Sequence, residues 1–449
     1  MKTIIKIFGL SLIATAVLSC RKDPNITQPQ QKIDQDLANA LIQHAPNSSL
    51  QDFVLPDEGE LAAFPADPRN PISQAKVELG KMLFHETGLG VDAKFDASKQ
   101  KFSCASCHHA QAGFQAGVQQ GLSDGGIGFG FAGEGRKKDP NCPEDSLDVQ
   151  PIRSPSILNT AYQEVTLWNG QFGATGLNQG TESSWTPGTP KEVNKLGFQG
   201  IEIQAIAGQA VHRLNVNATL FDNSSYQNMF KAAYGNLPKD ELYTKEKIGL
   251  AIAAYERTVV ANEAPFQKWL KGQKNAMTEK QKQGAILFFG KAGCGSCHKG
   301  PALNSMAFHA YGMNDFNDAD VFKTVDEATK KGRGGFTGRA SDNYKFKVPQ
   351  LYNLTQSPFY GHGGSFRSVE AVVRYKNAGV AQNPIVPASQ LSPAFRPLGL
   401  SEDEIKAITA FIEEGLFDPN LERYVPEALP SGLCFPMNDD AAKADLGCN

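Results

Sequence analysis

Apolar residues at intervals of three and four run through much of the chain, and they predict helices. Ile248, Ile252, Tyr255 and Val259 share one helical face, and Ile405, Ile408, Ile412 and Leu416 share another. Ser401 with Glu404 opens the second of these, and Thr278 with Gln281 opens a helix just before residue 290. Both pairs fit a capping box, in which each side chain binds the backbone N–H of the other residue. Ser368 to Asn377 reads as a further helix with Val369, Val372, Val373 and Lys376 on one face and Tyr375 at its edge. No alternating run is long enough for a sizeable sheet, so the fold is expected to be mainly α. At the N-terminus, Lys2 and Lys6 flank the start of an apolar run, Ile7 to Val17, that is too short to span a membrane. It ends in Val17-Leu18-Ser19-Cys20, so residues 1–20 read as a lipoprotein signal peptide with Cys20 as the lipid-bearing residue; simple secretory cleavage is the plainer alternative. Residues 21–60 are polar and poor in periodicity, as a tether would be, and Gly432 to Asn449 shows no helical periodicity either.

The overall balance of 44 basic and 47 acidic side chains gives a net charge of −3 and nothing that points to nucleic acid. The length favours at least two domains. An export signal places the mature chain in an oxidising compartment, periplasmic or at the cell envelope.

The eight cysteines divide by pattern. Cys104-Ala-Ser-Cys107-His108 and Cys294-Gly-Ser-Cys297-His298 are both C-x-x-C-H, the attachment pattern for c-type haem. The two thiols add to the haem vinyl groups, and the adjacent histidine, His108 or His298, reaches the iron. A bare C-x-x-C could be half a zinc site or a redox pair; the histidine in both copies and the export signal favour haem. Cys434 and Cys448 lie close together in the tail, where a disulfide would supply what a small core cannot. Cys142 is left without a role.

The surroundings of the two motifs repeat. Gly80-Lys-Met-Leu-Phe84 precedes the first and Gly284-Ala-Ile-Leu-Phe288 the second. Each is followed by a basic-x-Pro stretch, Arg153-Ser-Pro155-Ser-Ile-Leu-Asn159 and Lys347-Val-Pro349-Gln-Leu-Tyr-Asn353. Motif histidine and Pro are 47 residues apart in one copy and 51 in the other. Nine residues beyond each Asn come Trp168-Asn-Gly170 and His362-Gly-Gly364. Two related haem domains in tandem are expected.

With these motifs, with Glu202-Ile-Gln204-Ala205, Ala254-Tyr-Glu-Arg-Thr258 and Phe308-His309, and with His362-Gly-Gly-Ser-Phe366, the chain resembles the bacterial dihaem cytochrome c peroxidases, including the MauG-like dihaem enzymes. The resemblance runs from Pro71 to Phe417. It implies two tandem cytochrome c-like domains, an N-terminal peroxidatic one over 61–243 and an electron-transfer one over 244–425, with a tail over 426–449. The first haem would reduce hydrogen peroxide and the second would take electrons from a small donor protein of the cytochrome c or cupredoxin type. Trp168 would lie between the haems, or else be an ordinary core tryptophan. The resemblance also implies a homodimer and a calcium ion between the domains, although Ser154 stands where the family has a side-chain Asn.

The chain departs from the family at both irons. Family members often close the first haem with a second histidine from the following loop. Here no histidine lies between His109 and Arg153, and His109 is too close to His108 to reach the opposite face. The first haem is therefore expected to be open. The Gly-rich stretch Gly121 to Gly135 reads as a mobile lid or as an ordinary flexible insertion. The family's distal acid is a Glu about ten residues beyond the Gln matched by Gln204. His212 is the nearest acid/base here, with Glu202 the alternative and Gln204 placed to orient peroxide. An unusually long insertion that includes Trp185 separates Trp168 from Gln204. At the second haem, Lys376 occupies the position of the family's Met or Tyr ligand. An inward lysine is costly unless paired or ligating, so Lys376 is the first choice, then Tyr375, then Met313; a lysine that snorkels to a carboxylate or propionate is the competing view. His309 and His362 read as haem-neighbouring or structural, and His44 and His85 as surface or structural. A peroxidase is the first functional expectation, a MauG-like oxidase of a protein or organic substrate the second, and a non-enzymatic electron-transfer cytochrome the third.

Overall fold

The structure, a computed structural model, describes residues 28–317, 319 and 321–448. The signal peptide over 1–20 and Cys20 lie outside the described residues. The fold is mainly helical. Among the described residues the only ladders longer than an isolated bridge are two antiparallel pairs of two-residue strands, β1 (Gly126–Ile127) with β2 (Lys137–Lys138) and β3 (Phe308–His309) with β4 (Phe346–Lys347).

The helices that position the site are α1 (Gln28–Ile42), α2 (Gln74–His85), α3 (Gly200–Val211), α4 (Lys245–Thr258), α5 (Glu279–Phe289), α6 (Val369–Ala378), α7 (Glu402–Ala410) and α8 (Asp440–Leu446). Both capping boxes form, Thr278–Gln281 at α5 and Ser401–Glu404 at α7. Ile248, Ile252, Tyr255 and Val259 are buried along α4 and just beyond it. Ile405 and Ile408 are buried on α7, while Ile412 falls in a π turn over Phe411–Gly415 and Leu416 directly after it.

The same contacts occur twice. Helix α2 crosses α4 so closely that a Cβ on Gly80 would lie 1.9 Å from the Ala251 carbonyl oxygen. Helix α5 crosses α7 in the same way, and a Cβ on Gly284 would lie 1.9 Å from the carbonyl oxygen of Ala407. Asn159 and Asn353 both take left-handed backbone, with φ 61° and 54°. Their amides donate to Val259 and Leu416, and their side-chain oxygens accept from the amides of Ala261 and Asp418, each at 3.0 Å. The repeat in the sequence is thus a repeat in packing. It also moves a boundary. Helix α4 packs on α2 and α3, so a division between residues 243 and 244 would part it from the helices that bury it.

Both chain ends depart from expectation. The stretch 21–60, expected as a tether, is a helix from Gln28 to Ile42. Its Leu37 and Leu41 are fully buried, and it packs on α5. Asp34 accepts from the Trp269 indole N–H at 2.6 Å and pairs with Lys282 at 2.7 Å. With few apolar residues of its own, α1 depends on this partner surface. The tail expected to lack helix forms α8, capped by Asp439. The Cys434–Cys448 disulfide is present, with its Cα atoms 5.9 Å apart. Met437 and Ala442 are buried, and Asp439 pairs at 3.3 Å with Arg136, both side chains nearly inaccessible.

That tail fastens the Gly-rich stretch. Asp439 accepts from the Gly128 amide, and Asp445 accepts from those of Phe129 and Gly130. Gly121 to Gly135 is therefore a clamped loop and not a lid: three successive amides at its tip, Gly128 to Gly130, are bound by carboxylates of the tail.

Because the α5–α7 crossing admits no side chain, Gly284→Ala is expected to lower stability by about 1–3 kcal/mol through overpacking. Gly59→Ala, where nothing lies within 4 Å of the added carbon, serves as the control. Thermal melts of the two variants check this.

Candidate functional site

Each attachment motif sits on a single 3-10 turn, Cys104–Ser106 and Cys294–Ser296, on the C-terminal side of the closely crossed helix of its copy. His108 Nδ1 lies 3.3 Å from the Phe114 carbonyl oxygen, and His298 Nδ1 lies 2.9 Å from that of Leu303. A carbonyl accepts only, so Nδ1 carries the hydrogen and Nε2 keeps its lone pair for a metal. Burial pushes both imidazoles down to about 4, so they are neutral and able to ligate. The four motif thiols are unpaired with one another. Burial pushes Cys104, Cys107 and Cys294 up to about 12, unlike the exposed, low-pKa thiols of redox pairs. Among the described residues no group of three or more His, Cys, Asp or Glu is arranged to hold a metal ion. Two thiols and one tautomer-fixed histidine, twice over, fit covalent haem.

Beside the second motif lies a mostly apolar cavity of about 300 Å³. Cys294, Cys297 and His298 line it together with Trp168, Met313 and Lys376. Trp168 reaches it because the two copies exchange hydrogen bonds. The Arg153 amide donates to the His362 carbonyl at 2.9 Å, and the Lys347 amide donates to the Trp168 carbonyl at 2.8 Å. The Trp168 indole N–H then donates to the Arg153 carbonyl at 2.7 Å. Trp168 is thus a junction residue, half-buried, on the wall of the second cavity.

A sequence model of the di-haem cytochrome c peroxidase family matches residues 74–275. The methylamine utilization protein MauG of Methylorubrum extorquens is 28% identical over 352 residues, covering 78% of this chain and 80% of its own. The cytochrome c551 peroxidase of Nitrosomonas europaea is 29% identical over 345 residues, covering 76% and 80%. The chain is similar over most of its length to the dihaem cytochrome c peroxidases and MauG proteins. It is an oxidoreductase of the cytochrome c peroxidase type, and the family implies two c-type haems. The fold agrees: a crystallised MauG-like protein associated with microbial copper homeostasis superposes with a TM-score of 0.54 at 22% identity, covering 82% of this chain and 95% of that one.

Around the first motif the structure separates the expected acid/base residues. His212 caps the C-terminal end of α3, and its Nδ1 lies 2.9 Å from the Asp148 carboxylate. Burial pushes the imidazole down, but the Asp148 charge outweighs it and holds His212 above its ordinary value. His212 also lies near enough to His108 for their charges to interact. Glu202, the alternative, is removed from contention. Both of its oxygens accept from Arg257, at 2.9 and 2.7 Å, and neither partner is exposed. Its carboxylate neutralises a buried guanidinium and is not free to move protons. Gln204 is half-buried on α3, and among the described residues its side-chain amide has no hydrogen-bond partner.

His109 has a backbone carbonyl against each ring nitrogen, Ala105 at 3.2 Å and Ala132 at 2.7 Å, and its one N–H donates to one of them, so the ring is not free to act as a second ligand. His85 is buried, with Nδ1 on the Lys81 carbonyl, and His44 binds the Phe289 carbonyl at 2.7 Å. The Ser154 hydroxyl is buried with no hydrogen-bond partner.

At the second motif the three proposed ligands separate. Tyr375 is engaged elsewhere: its hydroxyl donates to the Tyr311 carbonyl at 2.5 Å and accepts from the Gln382 amide. Lys376 and Met313 line the cavity. The Lys376 ammonium nitrogen lies 2.9 Å from the centroid of the Tyr311 ring, and burial pushes it down to about 7. His309 Nε2 lies 3.6 Å from the Cys297 sulfur, and His362 Nε2 lies 3.1 Å from Asp315 with its ring stacked on Phe346 at 3.7 Å. Both histidines line the cavity. Asp148 escaped the sequence reading because its partner lies 64 residues away, with no local pattern to join them.

Proposed function

We propose that the protein is a peroxidase that reduces hydrogen peroxide to water with electrons from a small cytochrome c or cupredoxin. Two electrons and two protons convert one peroxide to two waters. The haems, when bound, would supply peroxide reduction at the first iron and electron storage at the second. The observation that carries the reading is the His212–Asp148 pair in a first half whose loop offers no second histidine ligand. Neutral His212 would take the proton from one peroxide oxygen and return it to the departing one. Asp148 would hold Nδ1, fixing the tautomer and leaving Nε2 for that transfer. The unpartnered Gln204 amide would orient the peroxide. Trp168, bound to Arg153 of its own copy and Lys347 of the other, would connect the two haem domains. Cys20 would tether the protein as an envelope lipoprotein.

Lys376 would be the sixth ligand of the second haem, its amine neutral in part near neutral pH. That non-Met ligand is the specific feature that favours the second reading, a MauG-like oxidase of a protein or organic substrate. Peroxide-dependent oxidation of a reduced small cytochrome separates the readings. A peroxidase turns over; an oxidase consumes peroxide without oxidising the donor at a matching rate; an electron-transfer cytochrome consumes no peroxide.

His212→Ala is expected to cut peroxide turnover roughly 10²–10⁴-fold, as for loss of a general acid–base group. The base form of His212 dominates above its pKa, so the rate falls as pH drops through that value. Asp148→Asn removes the charge that holds the pKa up, so the acid limb should move to lower pH and the plateau should drop. An unmoved limb in the pH–rate profile would remove His212 from the role. Lys376→Ala should convert one haem from low-spin to high-spin in the EPR spectrum of the oxidised protein, and an unchanged spectrum would exclude the lysine.

A further inference from the structure

Two buried cations at the junction between the copies have no anionic partner. Lys347 is 7% exposed, and its ammonium has one neutral partner among the described residues, the side-chain oxygen of Gln163. Arg153, at the equivalent position in the other copy, is 1% exposed. Its terminal nitrogens donate to the carbonyls of Ala116, Val118 and Gln119 and to the Ser357 hydroxyl, while Nε has no partner at all. Arg257, Arg136 and Lys282 are matched, by Glu202, Asp439 and Asp34, and Lys376 lies against the face of the Tyr311 ring. Arg333 lacks a carboxylate within ion-pair distance but spends its terminal nitrogens on three backbone carbonyls between the faces of Phe308 and Phe336.

A buried ammonium without a counter-charge is costly, and proteins keep one there when something else supplies the charge. Lys347 and Gln163 line the same cavity as Cys294, Cys297 and His298. Haem attached to those thiols brings two carboxylates. Arg153 is tied to the first motif by packing: a Cβ on Gly121 would lie 3.0 Å from the Cys107 sulfur and 2.8 Å from the hydroxyl of Ser154, the residue next to Arg153, and the Arg153 side chain binds carbonyls of the segment that follows that motif.

We propose that the buried basic residue two positions before the Pro of each copy is the counter-charge for a haem propionate, Lys347 for the second haem and Arg153, through Nε–H, for the first. Gln163 orients the Lys347 ammonium. The reciprocal backbone bonds of Arg153 and Lys347 then bring both charged edges to the junction that carries Trp168. This inference rests on the presence of two covalent haems and not on peroxide reduction.

The test is a spectroelectrochemical titration of holoprotein carrying Lys347→Met or Lys347→Arg, over a range of pH. Loss of a positive charge beside a haem disfavours the added electron. Lys347→Met should lower the potential of one haem, leave the other near its native value, and make the lowered one depend on pH as its propionate takes up a proton on reduction. Lys347→Arg should restore the native potential. Identical potentials and pH dependence in native protein and Lys347→Met would overturn the proposal. Should that variant fail to take up its second haem, redox-difference infrared spectra of native protein with carboxyl-labelled haem decide. A propionate that stays ionised well into the acid range supports the pairing, and protonated propionates at neutral pH refute it. A protein that fails to consume peroxide still has two potentials to measure, so the failure of one reading does not hide the failure of the other.

Discussion

Two backbone hydrogen bonds, exchanged between the copies, hold the functional centre together. The Arg153 amide binds the carbonyl of His362, and the Lys347 amide binds that of Trp168. The four residues stand in two equivalent pairs, so the exchange is the mark of a pseudo-two-fold junction. Buried as Arg153 and Lys347 are, these bonds act in a low-dielectric setting where losing either would be costly. Trp168 reaches the second cavity through this exchange, and its indole returns to Arg153. The tryptophan and the two buried cations are placed by it.

The chain ends reinforce the junction by crossing over. The first helix packs on α5, which leads into the second motif, while the last segment packs beside the first motif and clamps its Gly-rich loop. The hydroxyls of Ser103 and Ser106, flanking Cys104, both donate to the carbonyl of Pro436 in that tail. An open first haem would then be a property of a fixed loop without a histidine. It would not depend on a loop that swings away. The His212–Asp148 pair belongs to the same economy: Asp148 also accepts from Ser123, at the base of the clamped loop.

Much of this was legible where the information is local. The capping boxes at Thr278 and Ser401, the buried faces of α4 and α7 and the two haem motifs depend on residues within one or two turns of each other. The repeat was legible because Gly80 and Gly284 are demanded by the same close helix crossing. What was missed depends on partners far along the chain. Helix α1 has too little apolar surface to declare itself, and it is ordered by Trp269 and Lys282. Glu202 looked available because nothing nearby in sequence reveals Arg257, 55 residues on. The Gly-rich stretch looked mobile because the carboxylates that fasten it come from the other end of the chain. Arg153 and Lys347 were visible as markers of the repeat, but their lack of a counter-charge is a property of the folded interior alone.

The central claim is that the first haem is open in the resting protein, with its acid/base group already in place. Stopped-flow mixing of the fully oxidised protein with stoichiometric peroxide tests it most directly, with a parallel run after one-electron reduction. The account predicts a rapid change of the haem spectrum in the oxidised protein without prior reduction. A change seen only after reduction would show a first haem that must be unlocked, and would contradict it.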